Sequence, residues 1–188
     1  MAVDLSHKLG TGISPKQFME GMEKNKEEFQ TNYDQFSWNH DEDREFFESL
    51  QFRDDIRVLI LAADWCGDVV RNVPVVFHAL ETAGFDTEVL VMEQHLDVMD
   101  QFLTMGGRSV PIVIFADTGG YVLGQWGPRP AHVQKYMIEF KKDNSDREAP
   151  DYQEKMARVR QEMIQAYGEG KESSAVIISE LRELISGF

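Results

Sequence analysis

The segment Ile56–Ala63 constrains this chain more than any other. It is a nearly continuous apolar run, interrupted by Arg57, and it stops at Asp64-Trp65-Cys66-Gly67-Asp68. Such a run, bounded by a turn, fits a strand buried in a sheet. The period then changes. Val69, Val73, Val76, Phe77 and Leu80 share one helical face, and Gly84 ends the pattern. Phe85–Met92 predicts a second strand, parallel to the first through a right-handed crossover.

The remaining elements follow the same rules. Leu96–Met105 predicts a short helix closed by Gly106-Gly107, and Val110–Phe115 a third strand with Pro111 near its start. Asp117–Gly120 is a turn, so Tyr121–Trp126 returns antiparallel as a fourth strand. Ala131–Lys142 closes the unit as a helix with Val133, Met137 and Phe140 inward. The order β-α-β-α-β-β-α gives a small mixed sheet with helices on both faces.

Helical segments flank this unit, dividing the chain into residues 1–55, 56–142 and 143–188. Ser14, Pro15 and Gln17 form a helix-start signature. Phe18, Met22, Phe29, Tyr33 and Phe36 then recur at helical spacing, and a second helix is expected over Asp43–Phe52. These aromatics are read as packing residues. After a polar linker over 143–149, Tyr152, Met156, Val159, Met163 and Tyr167 form one stripe. Gly168–Gly170 breaks it, and Ile177, Leu181, Leu184 and Phe188 form another. Neither helix buries its stripe alone. Each is expected to dock on the sheet unit, on the N-terminal helices or on a partner chain, which leaves a homodimer open.

Composition narrows the function classes. The 188 residues are 42% hydrophobic, enough for one domain with a substantial core. Lys and Arg number 19 against 33 Asp and Glu, a net charge of -14 that disfavours nucleic acid and anionic membranes as partners. No basic leader precedes an apolar run, and no stretch approaches the roughly 20 residues needed to span a bilayer. The expectation is a soluble cytoplasmic protein. The single cysteine, Cys66, forbids an internal disulfide. His7, His40, His78, His95 and His132 are too scattered for a metal signature, so neither a metal nor a resident cofactor is expected.

Cys66 carries the chemistry. At a strand-to-helix junction the unpaired amides and the helix dipole favour an anion, so its pKa is expected below about 8.5. Asp68 offsets part of that effect. Gly67 allows close approach, and Trp65 offers a substrate an apolar platform. A lone cysteine is also compatible with a small buried hydrophobe. The Val110-Pro111 bond is compatible with a cis bond, which would expose the backbone of Val110 to an extended substrate, or with an ordinary trans proline at a strand start.

Trp65-Cys66-Gly67-Asp68-Val69, the Val110-Pro111 step and the element order resemble the thioredoxin superfamily over about residues 56–142. The implied fold is a thioredoxin-like three-layer α/β/α arrangement with a mixed four-stranded sheet and extra N- and C-terminal helices. In that family a Trp-Cys-Gly-x-Cys motif opens a helix and its first Cys attacks disulfides; Cys66 matches it. Pro74 matches the helix-kinking proline, Pro111 the cis-proline opposite the active site, and Gly127 the glycine near the substrate groove. The resolving cysteine is absent, replaced by Val69. The buried carboxylate that serves it is replaced by Ile60, which is coherent, because a buried acid without a thiol to deprotonate brings only desolvation cost.

The resemblance therefore implies monothiol exchange: a Cys66 mixed disulfide with a protein or small-molecule disulfide, released by an external low-molecular-weight thiol acting as co-substrate. The alternative is a redox-inactive peptide- or protein-binding module that uses a Trp65/Pro111 groove. An iron-sulfur cluster shared by two chains is disfavoured, because Asp68 would place another negative charge beside an anionic cluster. Peroxide reduction would need a nearby arginine, and Arg71 is the one present in local sequence. Asp64 either caps the helix carrying Cys66 or lies exposed beside Trp65.

Overall fold

The apolar run forms β1 (Ile56–Ala62), the second strand of a sheet ordered β2-β1-β3-β4 in a computed structural model that describes residues 3–188. β2 (Asp86–Val91) pairs with it in parallel, placing Leu59 opposite Glu88. β3 (Ile112–Asp117) pairs on the other side antiparallel, placing Leu59 opposite Ile114. β4 (Val122–Trp126) completes the sheet antiparallel to β3, with a register shift between Phe115 and Ala116. Val58 to Ala62 and Ile112 to Ala116 are all buried. This is why β1 carries no polar alternation: both of its faces are covered.

Between β1 and β2 runs α4 (Gly67–Ala83), closed by Gly84 in the left-handed region at φ 68°. Pro74 lies inside it. The N-terminal stripe becomes two helices, α1 (Pro15–Gly21) and α2 (Lys26–Asp34), followed by α3 (Asp41–Ser49) and a 3-10 turn over Leu50–Phe52. The Ser14 hydroxyl and the Gln17 side chain form the expected capping box. The stripe breaks after Gly21 because the backbone turns there: Asn25 is left-handed at φ 55°, and Asp64 holds the turn from outside by accepting the Glu23 and Lys24 amides.

Two boundaries differ from expectation for local reasons. The helix after β2, α5 (Leu96–Met99), is shorter than Leu96–Met105. Thr104 and Gly107 exchange both backbone hydrogen bonds around left-handed Met105 and Gly106, which is incompatible with continued helix. β3 begins at Ile112 rather than Val110, because Pro111 has no N–H to contribute to a ladder.

The C-terminal stripes dock within the same chain. α6 (Ala131–Asp143) packs against α7 (Tyr152–Tyr167), where Val133, Met163 and Tyr167 form a small separate cluster. α8 (Lys171–Ile185) lies on α3, α4 and β4. Its Ile177, Ile178, Leu181 and Ile185 join the main core, as do Phe18, Phe29 and Phe47 from the N-terminal helices. Each such side chain contributes about 1.5–3 kcal/mol when fully buried. The flanking helices are thus part of the core that stabilises the sheet. The architecture is the mixed four-stranded sheet with flanking and additional terminal helices that the resemblance implied. Among the described residues no helix is long and apolar enough to cross a membrane.

Candidate functional site

Cys66 is the N-cap residue of α4. Its amide donates to the Ala63 carbonyl at 3.2 Å, and its own carbonyl accepts the Val70 amide at 3.1 Å, so the backbone passes directly from β1 into the helix. The Sγ donates to the Val110 carbonyl at 3.3 Å. The Val110-Pro111 bond is cis, which resolves the alternative that the sequence left open. Val69 at the resolving position and Ile60 at the position of the family carboxylate are both fully buried. Pro74 is buried further along α4 and belongs to its packing.

Gly127 is placed by a close approach. Its φ is +115°, and a Cβ there would lie 2.3 Å from the Pro111 carbonyl oxygen, so the loop after β4 rests against Pro111. Pro111 itself is buried. Gly127 and Pro111 therefore back Val110 without lining the cleft beside the thiol, to which Trp65, Gly67, Asp68 and Val110 contribute. Trp65 is half-exposed and its indole N–H donates to Glu93 at 2.5 Å, holding the ring as a platform at the edge. A Cβ on Gly67 would meet the Arg71 guanidinium at 2.8 Å; that guanidinium donates to the Gly67 carbonyl at 3.2 Å.

The electrostatics correct one expectation. Burial pushes the Cys66 thiol above its ordinary pKa, and the Asp68 carboxylate pushes in the same direction. The Val69 and Asp68 amides and the Arg129 guanidinium favour the thiolate, as expected of a helix N-terminus, but they do not outweigh the desolvation. Helix position was the visible signal in the sequence; the depth of the thiol depends on what the rest of the chain places over it. Cys66 is half-buried and packs against the core. It is a protonated thiol in its resting state, donating to Val110.

Asp68 is the centre of a network. Its carboxylate pairs with Arg129 at 2.8 Å and accepts the Tyr167 hydroxyl at 2.8 Å. Arg129 donates in turn to Gln134 at 2.9 Å. Buried Asn72 donates to the Tyr167 hydroxyl at 2.9 Å and to the Pro128 carbonyl at 3.1 Å. The network ties the first turn of α4 to the loop before α6 and to the end of α7. Burial and the Asp68 charge hold Tyr167 far above the usual phenol range, so it is a fixed hydroxyl donor. Sequence reasoning missed Arg129, Asn72 and Tyr167. Asn72 had a signal, a polar side chain inside the apolar face of α4; the other two become neighbours only through the fold.

Asp64 does not cap α4. It secures the turn between α1 and α2, and its carbonyl accepts from the Asn25 amide group. His78 stacks on Tyr33 and Phe36 and bonds the Tyr33 carbonyl, a packing position. Among the described residues no group of three or more His, Cys, Asp or Glu side chains is arranged to hold a metal ion.

A Thioredoxin family profile matches residues 12–145, most of the chain. No curated protein matches the sequence. Among solved structures, a protein of unknown function from Pseudomonas aeruginosa is similar with a TM-score of 0.54 at 17% identity, covering 100% of this chain and 93% of that one. An HIV epitope-scaffold is similar with a TM-score of 0.53 at 17% identity, covering 100% and 94%. Identities this low speak for the fold alone.

Proposed function

The chain belongs to the thioredoxin family, and from that premise we propose that Cys66 performs monothiol disulfide exchange with an external small thiol as resolver. The observation that carries this reading is the pairing of a solvent-reaching Cys66 at the head of α4 with a fully buried valine where a resolving thiol would stand. The Cys66 thiolate attacks the small-molecule sulfur of an adducted protein. The Cys66–sulfur bond forms as the protein–sulfur bond breaks, and the protein leaves as thiolate and takes up a proton. A second small thiolate then attacks the sulfur bound to Cys66, forming a small-molecule disulfide and returning the Cys66 thiolate. In sum one external small thiol is consumed: the protein–adduct disulfide is exchanged for a small-molecule disulfide, the protein is left as a thiol, and Cys66 is regenerated.

Each neighbour has a part in that cycle. The Val110 carbonyl holds the resting proton on Sγ. Because burial raises the pKa, the thiolate is a minority at neutral pH, but once formed it is a stronger nucleophile than a low-pKa thiolate. Trp65 supplies the apolar platform. Dependence on an external thiol suits a reducing compartment such as the cytosol. The test is steady turnover on a thiol-adducted protein, with and without small thiol, for wild type and Cys66→Ser. The expected result is turnover in wild type that requires the small thiol; equal rates in the two proteins overturn the reading.

The protonated resting thiol specifically favours a second reading, a redox-inactive binding module that holds peptides or proteins at Trp65 and the Val110-Pro111 step. Ligand binding undiminished by Cys66→Ser, with no turnover in either protein, selects it.

A further inference from the structure

The chain as a whole has 19 lysines and arginines against 33 aspartates and glutamates. The cleft beside Cys66 has the opposite balance. Arg71, Arg108, Arg129, Lys141, Arg147 and Arg160 line it, against the single carboxylate of Asp68. Arg129 is neutralised by Asp68 and Arg108 by Asp100. Among the described residues, Arg71, Lys141, Arg147 and Arg160 have no carboxylate at ion-pairing distance. In a chain with an excess of acid, these four cations give one cavity a local charge opposite to that of the whole.

The geometry crowds these cations. Partial burial together with Arg147 and Arg129 holds the Lys141 ammonium below its ordinary pKa. Arg71 is fixed beside the thiol, over the Tyr167 ring at 5.5 Å and bonded to the Gly67 carbonyl. Like charges brought together in a walled cleft focus a field that an anion relieves. The cavity measures about 680 Å³, within the range typical of small-molecule sites. Met137, Met156 and Met163 give it an apolar side.

We infer that this cleft selects the small thiol exchanged at Cys66, and that the thiol it takes carries two or more anionic groups, carboxylate or phosphate, on a compact body. The exchange at Cys66 rests on the monothiol reading above, whereas the anion selection rests on the cations alone. In this arrangement α7 and the loop before it supply Arg160 and Arg147, so the C-terminal extension serves recognition as well as packing.

Two arms test the inference and the exchange reading separately. In the first, the Cys66→Ser protein is titrated calorimetrically with the disulfide of mercaptosuccinate, with a phosphate-bearing analogue, and with the disulfide of mercaptoethanol. Binding of a charged disulfide and none of the neutral one is expected, and the preferred charged form tells carboxylate from phosphate. Arg147→Glu/Arg160→Glu should weaken that binding about tenfold or more, the equivalent of about 1.4 kcal/mol, while Lys16→Glu/Lys24→Glu, the same charge change away from the cleft, leaves it within twofold. No preference for charge, or equal loss in both variants, overturns the inference. In the second arm, mercaptosuccinate and mercaptoethanol release a preformed Cys66 mixed disulfide, each rate normalised to the same thiol acting on a free disulfide. Release by neither thiol overturns the exchange reading and leaves the first arm to decide anion binding; equal normalised rates overturn the selection while exchange stands.

Discussion

The two ends of the C-terminal extension solve different problems. α8 places Ile177, Ile178, Leu181 and Ile185 into the same core as Phe18, Phe29 and Phe47, and its polar side chains tie it to the rest of the fold, Glu180 accepting from the Trp126 indole and Arg182 pairing with Asp43. α7 meets α6 through a small cluster and the Tyr152–Phe140 edge contact, and it carries the Tyr167 hydroxyl that binds Asp68 and part of the cationic cleft wall. One helix stabilises the sheet; its neighbour shapes the environment of the thiol. The same tail therefore extends the domain twice, once into the core and once toward the surroundings of Cys66, and the two additions should respond differently to mutation.

The largest expected effect is in the apolar core. Phe47 is fully buried against Trp38 and Phe46. Phe47→Ala should destabilise the protein by about 3–5 kcal/mol in chemical denaturation. In the remaining folded protein the pH midpoint of Cys66 alkylation should be unmoved. A shifted midpoint would mean that the two regions are not separable. A smaller effect belongs to the polar side. Tyr167→Phe removes the hydroxyl shared by Asp68 and Asn72 and should cost about 1–2 kcal/mol. A cost as large as that of Phe47→Ala would break the distinction from the other direction.

This division also decides what was legible in the sequence. The element order could be read because β1 is a continuous apolar run and α4 carries a clear helical period, and Cys66, Val69 and Pro111 could be placed because they stand at element junctions. The thiol's environment could not. Arg129, Lys141, Arg147 and Arg160 are scattered along the chain, and no local pattern distinguishes them from solvated surface charges. The direction of the Cys66 pKa shift failed for the same reason. The helix start is a local feature, whereas burial sums over everything that folds around the thiol. Asp64 shows the limit on a smaller scale: next to the motif in sequence, it serves a turn between two helices of the N-terminal region.

The smallest expected effect is the most diagnostic of the chemistry. Asp68 raises the Cys66 pKa and occupies Arg129, which lowers it. Asp68→Asn keeps the shape and an acceptor for Arg129 and Tyr167 while removing the charge. The thiol pKa should fall, and alkylation at pH 7 should accelerate several-fold, up to about tenfold for a full unit, with alkylation rates measured from pH 6 to 11. The sign carries over to stability. A thiol whose pKa is higher in the folded state than in the unfolded chain contributes fully below the unfolded value of about 8.5, and that contribution is lost as pH rises through the folded value. Wild type should therefore lose stability through the alkaline range, and Asp68→Asn should lose less of it, because its folded and unfolded thiols titrate closer together. An unchanged midpoint in Asp68→Asn would show that burial alone sets the thiol's protonation, and that the Asp68–Arg129–Tyr167 network ties the fold together without tuning the sulfur.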